Sequence, residues 1–273
     1  MDYGINKLGR VAAAAMLALL SLAAQAAEPE KTELSFSRSS GPAPDLFIAA
    51  VQPILERQGY RFKAVDLSDM FQTDVALNDG EVDFNVQQHT AYMNHFNKTQ
   101  DGKLVALTPI PTVYAGIYPG AKKDLKDIED GDHIAIPNDA SNAARCLLIL
   151  QKAGLVKFDP KKDIAAVSVH DIVENPKNLK FTEMKDLNIP AVATDFDYII
   201  LPGPAVYTAR IDPGTALVTE DLKPHLILHL VVREEDRDSK WARDIVNAYK
   251  SDEFRAYMEK NNDGLWYVPE AQR

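Results

Sequence analysis

The amino-acid sequence predicts an α/β fold with two lobes. Segments that alternate like β-strands are followed by segments with apolar residues at helical spacing, and this order repeats along the chain. The chain has 273 residues, of which 247 remain when a leader of 26 residues is removed. Because this length exceeds the usual size of a single core, we expect two lobes with a cleft between them.

The leader has the features of a secretory signal peptide. Lys7 and Arg10 precede an apolar stretch at residues 11 to 22, and Ala24-Gln25-Ala26 supplies a small-x-small cleavage site. The stretch is shorter than the roughly 20 residues that span a bilayer, so a retained membrane anchor is the weaker alternative. We therefore expect an exported protein, in which the single cysteine, Cys146, permits no internal disulfide.

The first half of the mature chain opens with a strand, a helix and a second strand. Residues 33–37 alternate as in a strand, apolar residues recur at helical spacing from Leu46 to Leu55 and stop at Gly59, and residues 60–67 alternate again. The same order then continues. Helices are predicted at residues 74–77, 90–96 and 125–128, and strands at residues 82–85, 104–107 and 112–118.

The second half contains the most regular strand, loop and helix sequence. Residues 133–136 predict a strand, residues 137–142 a polar loop, and residues 143–153 a helix that ends at Gly154. Further strands are predicted at residues 165–169, 198–201 and 225–233, and closing helices within residues 239–261.

Charge and missing motifs exclude several classes of function. The mature chain carries 28 basic and 39 acidic side chains, a formal charge of −11, and no Lys/Arg-rich run, which argues against a nucleic-acid partner. It lacks the glycine-rich phosphate loops, the Gly-x-Ser-x-Gly elbow and the His-Glu-x-x-His motif. Cys146 lies on an apolar helix face, which indicates a buried residue rather than a nucleophile. We therefore predict neither catalytic residues nor a cofactor.

Histidine spacing gives no support to a metal site. His225 and His229 are four residues apart in a predicted strand, which would separate them by about 13 Å along one face. Two histidines at that distance do not surround one ion. The sequence therefore predicts no metal ligands.

The loop at residues 137–145 is the strongest candidate for a binding site. Ser141 or Asn142 can cap the following helix, whose first backbone N–H groups would then attract an anion. Arg145 falls in the first turn of the predicted helix, where the helix dipole disfavours a cation by up to about 1 kcal/mol. Two interpretations stay open, a guanidinium that binds a ligand carboxylate and a salt bridge to Asp139.

Three separated segments resemble one known protein family. The first reads Ile-Pro-Asn-Asp-x-Ser-Asn-x-x-Arg from residue 136, followed by Leu-Leu-x-Leu-x-Lys-Ala-Gly-Leu. The second is residues 171–180, and the third is residues 76–83 together with Gln88, His89 and Tyr92. With Ser40-Gly41-Pro42 they cover roughly residues 33–260. On these motifs the chain resembles the NLPA lipoprotein family, the methionine-binding proteins of bacterial ABC importers.

The resemblance implies a periplasmic-binding fold of type II, which closes on a small ligand by hinge motion. It implies one lobe at residues 27–115 plus 231–273 and a second lobe at residues 116–230. The protein would be a periplasmic monomer that binds methionine or a related small carboxylate-bearing solute. Its partners would be a transmembrane permease and the associated ATPase.

The resemblance also implies ligand contacts, one residue at a time. Four residues match the family pattern, namely His89, Tyr92, Asn142 and Arg145. Two further contact positions carry other residues, because Met70 replaces a tyrosine and Gln87 replaces a phenylalanine. The asparagines expected near residue 202 and at residues 227–228 are also missing.

These departures leave the ligand open. A zwitterion needs acceptors for its ammonium group, since an unpaired buried charge costs several kcal/mol. A small organic anion or an altered amino acid held by Arg145, His89 and Tyr92 is therefore the alternative to methionine. A periplasmic enzyme and a surface adhesin are weaker alternatives. The residue directly after Ala26 is Ala27 and not the cysteine of lipid-anchored relatives, so we expect a protein free in the periplasm.

Overall fold

Two five-stranded sheets form the two lobes of the chain. The computed structural model describes residues 30–39, 41–163, 166–262 and 264–273, and the predicted leader lies outside these residues. The predicted α/β class is confirmed, since strands and helices alternate over most of the described chain. No helix in these ranges is long and apolar enough to cross a membrane.

The strands are short and occur throughout the described chain. They are β1 (Glu33–Arg38), β2 (Arg61–Asp66), β3 (Phe84–His89), β4 (Leu104–Pro109), β5 (Thr112–Val113), β6 (Gly116–Pro119), β7 (His133–Pro137), β8 (Lys157–Phe158), β9 (Ile172–Glu174), β10 (Lys180–Met184), β11 (Tyr198–Leu201), β12 (Val218–Thr219), β13 (Leu228–Arg233) and β14 (Trp266–Tyr267).

The helices connect these strands. They are α1 (Pro42–Leu46), α2 (Gln52–Glu56), α3 (Met70–Asn78), α4 (Thr90–Gln100), α5 (Ala140–Lys152), α6 (Gly203–Thr208), α7 (Lys240–Tyr249) and α8 (Asp252–Asn261). A π-helical segment, Phe47–Val51, joins α1 to α2, and a series of 3-10 turns occupies Asp186–Asp195.

The first sheet has the strand order β2-β1-β3-β13-β4. Its first three strands are parallel, and β13 runs antiparallel to both β3 and β4. Phe36, Phe47 and Phe84 form the centre of its core, with ring centroids 5.0 to 5.5 Å apart. Aromatic contacts of this geometry add to the stabilisation from burial alone.

The second sheet has the strand order β10-β7-β11-β6-β12. Here β10, β7 and β11 are parallel, whereas β6 is antiparallel to its two neighbours. Helix α5 packs on this sheet through an apolar face, and its Cys146 is 0% exposed. The prediction of a buried cysteine is confirmed, and burial raises the pKa of the Cys146 thiol well above its usual value, which disfavours the nucleophilic thiolate.

Some predicted strands differ from the observed ones. The strand predicted at residues 225–233 begins only at Leu228, because Pro224–Leu226 forms a 3-10 turn that contains His225. The whole of β13 joins the first sheet, so the predicted lobe boundary after residue 230 falls inside this strand. Within residues 166–169, the described part of the strand predicted at residues 165–169, no strand occurs.

The carboxyl ends of the strands carry the loops that form the site. Helix α1 follows β1, α3 follows β2, α4 follows β3, α5 follows β7 and α6 follows β11. In α/β folds ligands bind outside these strand ends, where helix N-termini also converge.

Candidate functional site

A cavity of about 310 Å³ lies between loops from both sheets. All six residues at the ligand-contact positions implied by the resemblance line this cavity, namely Met70, Gln87, His89, Tyr92, Asn142 and Arg145. The expected cleft between the lobes is therefore present in the structure. Its volume is at the lower end of the range typical of small-molecule sites.

The N-terminus of α5 is one wall of the cavity. Asp139, and not Ser141 or Asn142 as predicted, caps this helix, and its Oδ1 accepts a hydrogen bond from the backbone N–H of Asn142 at 2.9 Å. The same carboxylate accepts hydrogen bonds from the Ser141 hydroxyl and the Asn142 side-chain amide. A carboxylate can serve several donors at once, which a hydroxyl or an amide oxygen does less well.

His89 connects the two lobes as a neutral side chain. It caps α4, because its Nδ1 accepts a hydrogen bond from the backbone N–H of Tyr92 at 3.1 Å. This contact leaves the ring proton on Nε2, which lies 3.4 Å from Oδ1 of Asn142. Burial, with the nearby charge of Arg145, lowers the pKa of His89 to about 3. The ring is therefore uncharged at physiological pH and acts as a hydrogen-bond donor.

Arg145 is buried beneath the cavity and is paired with a carboxylate. Its side chain is 2% exposed, and its Nε and Nη2 donate to the two carboxylate oxygens of Glu220, Nε at 2.8 Å. Nη2 also donates to the carbonyl oxygen of Val113. The predicted alternative of a salt bridge to Asp139 is wrong, because Glu220 occupies that role.

The position of Arg145 in its helix also differs from the prediction. Helix α5 begins at Ala140 and not at residue 143, which places Arg145 in the second turn. The unfavourable effect of the helix dipole on a cation fades beyond the first turn, so the dipole argument loses most of its force. Arg145 lines the cavity, and its Nη1 forms no hydrogen bond to the described residues.

Met70 and Gln87 serve the cavity in different ways. The Gln87 side chain is bonded within its own lobe, since its Oε1 accepts from the backbone N–H and hydroxyl of Ser39 and its Nε2 donates to Ser37. It thereby fixes the loop after β1. Met70 is the first residue of α3 and contributes an apolar surface, together with Phe71 of the same helix.

The loop after β11 lines the cavity where one of the missing asparagines was expected. Pro202 and Pro204 line the cavity, and Gly203 lies so close to β5 that a Cβ atom there would be 2.5 Å from the carbonyl oxygen of Val113. A side chain at residue 203 is thus excluded. The wall contributed by this loop is apolar.

Three acidic residues line the cavity around Tyr92, namely Asp69, Asp139 and Asp186. Burial raises the pKa of the Tyr92 hydroxyl, and these three carboxylates together with Asp74 raise it further. The phenol is therefore neutral. Asp69 and Asp186 were not among the predicted site residues. Asp69 is the N-cap of α3 and Asp186 begins the 3-10 turns after β10, and an aspartate that starts a helix or a turn is the signal that could have found them.

Metal binding has no support in the geometry. Within the described ranges no group of three or more His, Cys, Asp or Glu side chains is arranged to hold a metal ion.

Comparison with known proteins gives one consistent result. The family model described as NlpA lipoprotein matches residues 36–269. The D-methionine-binding lipoprotein MetQ of Salmonella typhi is 32% identical over 201 residues, which are 72% of this chain and 74% of that protein. The methionine-binding lipoprotein MetQ of Bacillus subtilis is 29% identical and covers 87% of this chain and 88% of its own.

Solved structures agree with the sequence comparisons. A nutrient-binding protein from Burkholderia cenocepacia, solved bound to methionine, has a TM-score of 0.80 and 29% identity, and the match covers 86% of this chain and 99% of that one. A lipoprotein from Ruminococcus gnavus has a TM-score of 0.82 and 31% identity, over 88% of this chain and 100% of that one.

Proposed function

Since the chain belongs to the NlpA lipoprotein family, we propose that it is the substrate-binding protein of an ABC importer. Its ligand in this proposal is methionine or a related small carboxylate-bearing solute. The observation that carries the proposal is the cavity itself, which brings together the six residues predicted as ligand contacts. The named relatives are binding proteins, and we propose a non-catalytic role for this chain as well.

The chemistry of the cavity suits an amino acid with an apolar side chain. Nη1 of Arg145 offers a donor to a carboxylate, and neutral His89 and Tyr92 offer further polar atoms. Met70, Phe71 and Leu228 supply apolar surface to the same cavity. Apolar walls with a few convergent polar groups are typical of small-molecule sites.

We propose that the lobes close on the ligand by a hinge motion. The proposed lobes are residues 27–115 plus 231–273 and residues 116–230, with residues 228–230 reassigned to the first because β13 lies within its sheet. Hydrogen bonds from Tyr207 to Asp45 at 3.1 Å and between His89 and Asn142 at 3.4 Å join the two sides. A permease and its ATPase would be the partners of the closed monomer.

The proposal predicts a ligand-dependent rise in melting temperature. Mature protein should be stabilised by methionine by about 2.7 kcal/mol at a concentration of 100 times Kd. For a chain of this size, this stabilisation corresponds to a rise in melting temperature of about 5 to 10 °C. A thermal-shift panel of both methionine enantiomers, other amino acids and sulfur-containing organic acids measures this. Failure of every compound in the panel would contradict the proposal, whereas a response to organic acids alone would favour the organic-anion alternative.

We also propose that the protein is exported to the periplasm without a lipid anchor. The named relatives are described as lipoproteins. In this chain the only cysteine is Cys146, which is buried in α5. Mass spectrometry of the secreted protein should give the mass of an unmodified chain that begins at Ala27. A mass increased by a diacylglyceryl group would contradict this.

A further inference from the structure

The cavity has an excess of negative charge. Asp69, Asp139 and Asp186 line it, while the charge of Arg145 is balanced by Glu220 and His89 is uncharged. Lys185 is the remaining cation that lines the cavity, and it is exposed to solvent. The three carboxylates therefore outnumber the one unpaired cation by two. Such a site repels a simple organic anion.

One of these carboxylates has an unused acceptor. Asp69 caps α3 and Asp139 caps α5, so both are already engaged with backbone N–H groups. Asp186 accepts a hydrogen bond from the backbone N–H of Leu187 to Oδ1 at 2.8 Å, and its own backbone N–H also stabilises the carboxylate. Its Oδ2 has no hydrogen-bond partner among the described residues. Burial and the neighbouring charge of Asp139 raise the pKa of Asp186, and the charge of Lys185 opposes this shift.

A second and independent observation indicates where a carboxylate would bind. Arg145 is 2% exposed and lines the cavity, and its Nη1 has no hydrogen-bond partner within the described chain. A guanidinium nitrogen in this position is a strong donor to a carboxylate. The cavity thus offers one donor for a negative group and one carboxylate for a positive group.

We propose that Asp186, supported by Asp139, binds the ammonium group of the ligand, which makes the ligand a zwitterionic amino acid and not an organic anion. This inference rests on the proposed function and identifies the class of solute. Asp186 takes over the role left open by the missing asparagines, since a carboxylate is a better acceptor for an ammonium group than an amide. It is a specificity-determining residue of this chain.

Calorimetric titration with three matched ligands tests this inference. The ligands are L-methionine, its des-amino analogue, which keeps only the carboxylate, and its decarboxylated amine. Wild-type protein should bind L-methionine most tightly. Asp186→Asn should lower the affinity for L-methionine by about 10- to 100-fold, because the ligand ammonium group loses its hydrogen bond to a charged carboxylate. The same variant should bind the des-amino analogue at least as well as wild-type protein does.

The matched control is Asp195→Asn, an exposed aspartate in the same series of turns that does not line the cavity. It should leave all three affinities unchanged. Asn at residue 186 keeps an acceptor for the Leu187 N–H, so the turn should be preserved. Equal affinity of wild-type and Asp186→Asn protein for L-methionine would overturn the inference and leave the proposed function standing. If wild-type protein bound neither L-methionine nor any other amino acid, both the inference about Asp186 and the proposed function would be overturned.

Discussion

Replacing Glu220 with alanine is expected to lower the free energy of unfolding by about 3 to 5 kcal/mol, because it leaves the buried guanidinium of Arg145 without a counter-charge. Glu220 accepts hydrogen bonds from both Nε and Nη2 of Arg145, and its Oε1 accepts a further one from the backbone N–H of Ala115 at 2.7 Å. Both charged side chains are almost completely buried. Urea denaturation at neutral pH measures the change.

Two further variants make this test specific to the ion pair. Asp221→Ala removes the adjacent carboxylate, which forms an exposed salt bridge to Lys152, and should change stability by less than about 1 kcal/mol. The double variant Arg145→Met with Glu220→Leu should regain much of the loss, since an apolar pair of similar volume avoids burying a lone charge. A Glu220→Ala variant as stable as Asp221→Ala would contradict the buried ion pair.

Asp74→Asn is expected to stabilise the protein at alkaline pH. Asp74 is 0% exposed, and its Oδ1 accepts hydrogen bonds from Asn85 at 3.0 Å and from Gln88 at 2.5 Å. Three other oxygens of this cluster, Asp74 Oδ2, Asn85 Oδ1 and Gln88 Oε1, are buried without a hydrogen-bond partner in the described structure. Burial raises the pKa of Asp74 to about 7. An asparagine keeps the shape of the side chain and adds an amide donor for the unpaired oxygens.

The sign of the pH dependence follows from linkage. An unfolded aspartate ionises near pH 3.9, whereas Asp74 in the folded protein keeps its proton up to about pH 7. The stabilisation from this retained proton is complete below about pH 4 and is lost as pH rises to 7, at about 1.4 kcal/mol per pH unit. The stability of Asp74→Asn relative to wild-type protein should therefore increase by about 4 kcal/mol between pH 4 and pH 8.

Comparison with the wild type is needed because a second buried group titrates in the opposite direction. His89 has its pKa lowered to about 3, so it removes stability as pH falls below about 6.5 in both proteins. Its effect cancels in the difference between variant and wild type. Asp79→Asn, at the exposed end of the same helix, is the control and should not reproduce this change of about 4 kcal/mol, because its side chain lies outside the buried cluster. If the stability difference between Asp74→Asn and wild-type protein stayed constant from pH 4 to pH 8, it would contradict a protonated Asp74 in the folded protein.

The sequence predicted the parts of the fold that depend on local pattern. Strand β7, strand β11 and the apolar face of α5 were expected within a few residues, because alternation or helical spacing is visible there. Strand β10 was missed, since Lys180–Met184 contains few apolar residues. The sheet to which β13 belongs could not be predicted either, because a strand that is apolar on both faces fits the centre of any sheet.

The residues of the site were expected from the family resemblance rather than from local pattern alone. His89, Tyr92 and Asn142 belong to local motifs at strand and helix junctions, and the structure brings them to one cavity. The partner of Arg145 could not be predicted, because Glu220 lies 75 residues away in the sequence and is brought close by the fold. Asp186 was missed together with β10, the strand whose end positions it.

Calorimetric titration of the mature protein with L-methionine is the most direct test of the central claim, that this cavity is the binding site of a small amino acid. We expect saturable binding with one ligand per chain. Asn142→Ala, which removes the amide between Asp139 and His89, should weaken binding by at least about tenfold, whereas Asn188→Ala, outside the cavity and exposed, should not change it. Binding that is equally strong in Asn142→Ala and in wild-type protein would place the ligand elsewhere and contradict the claim.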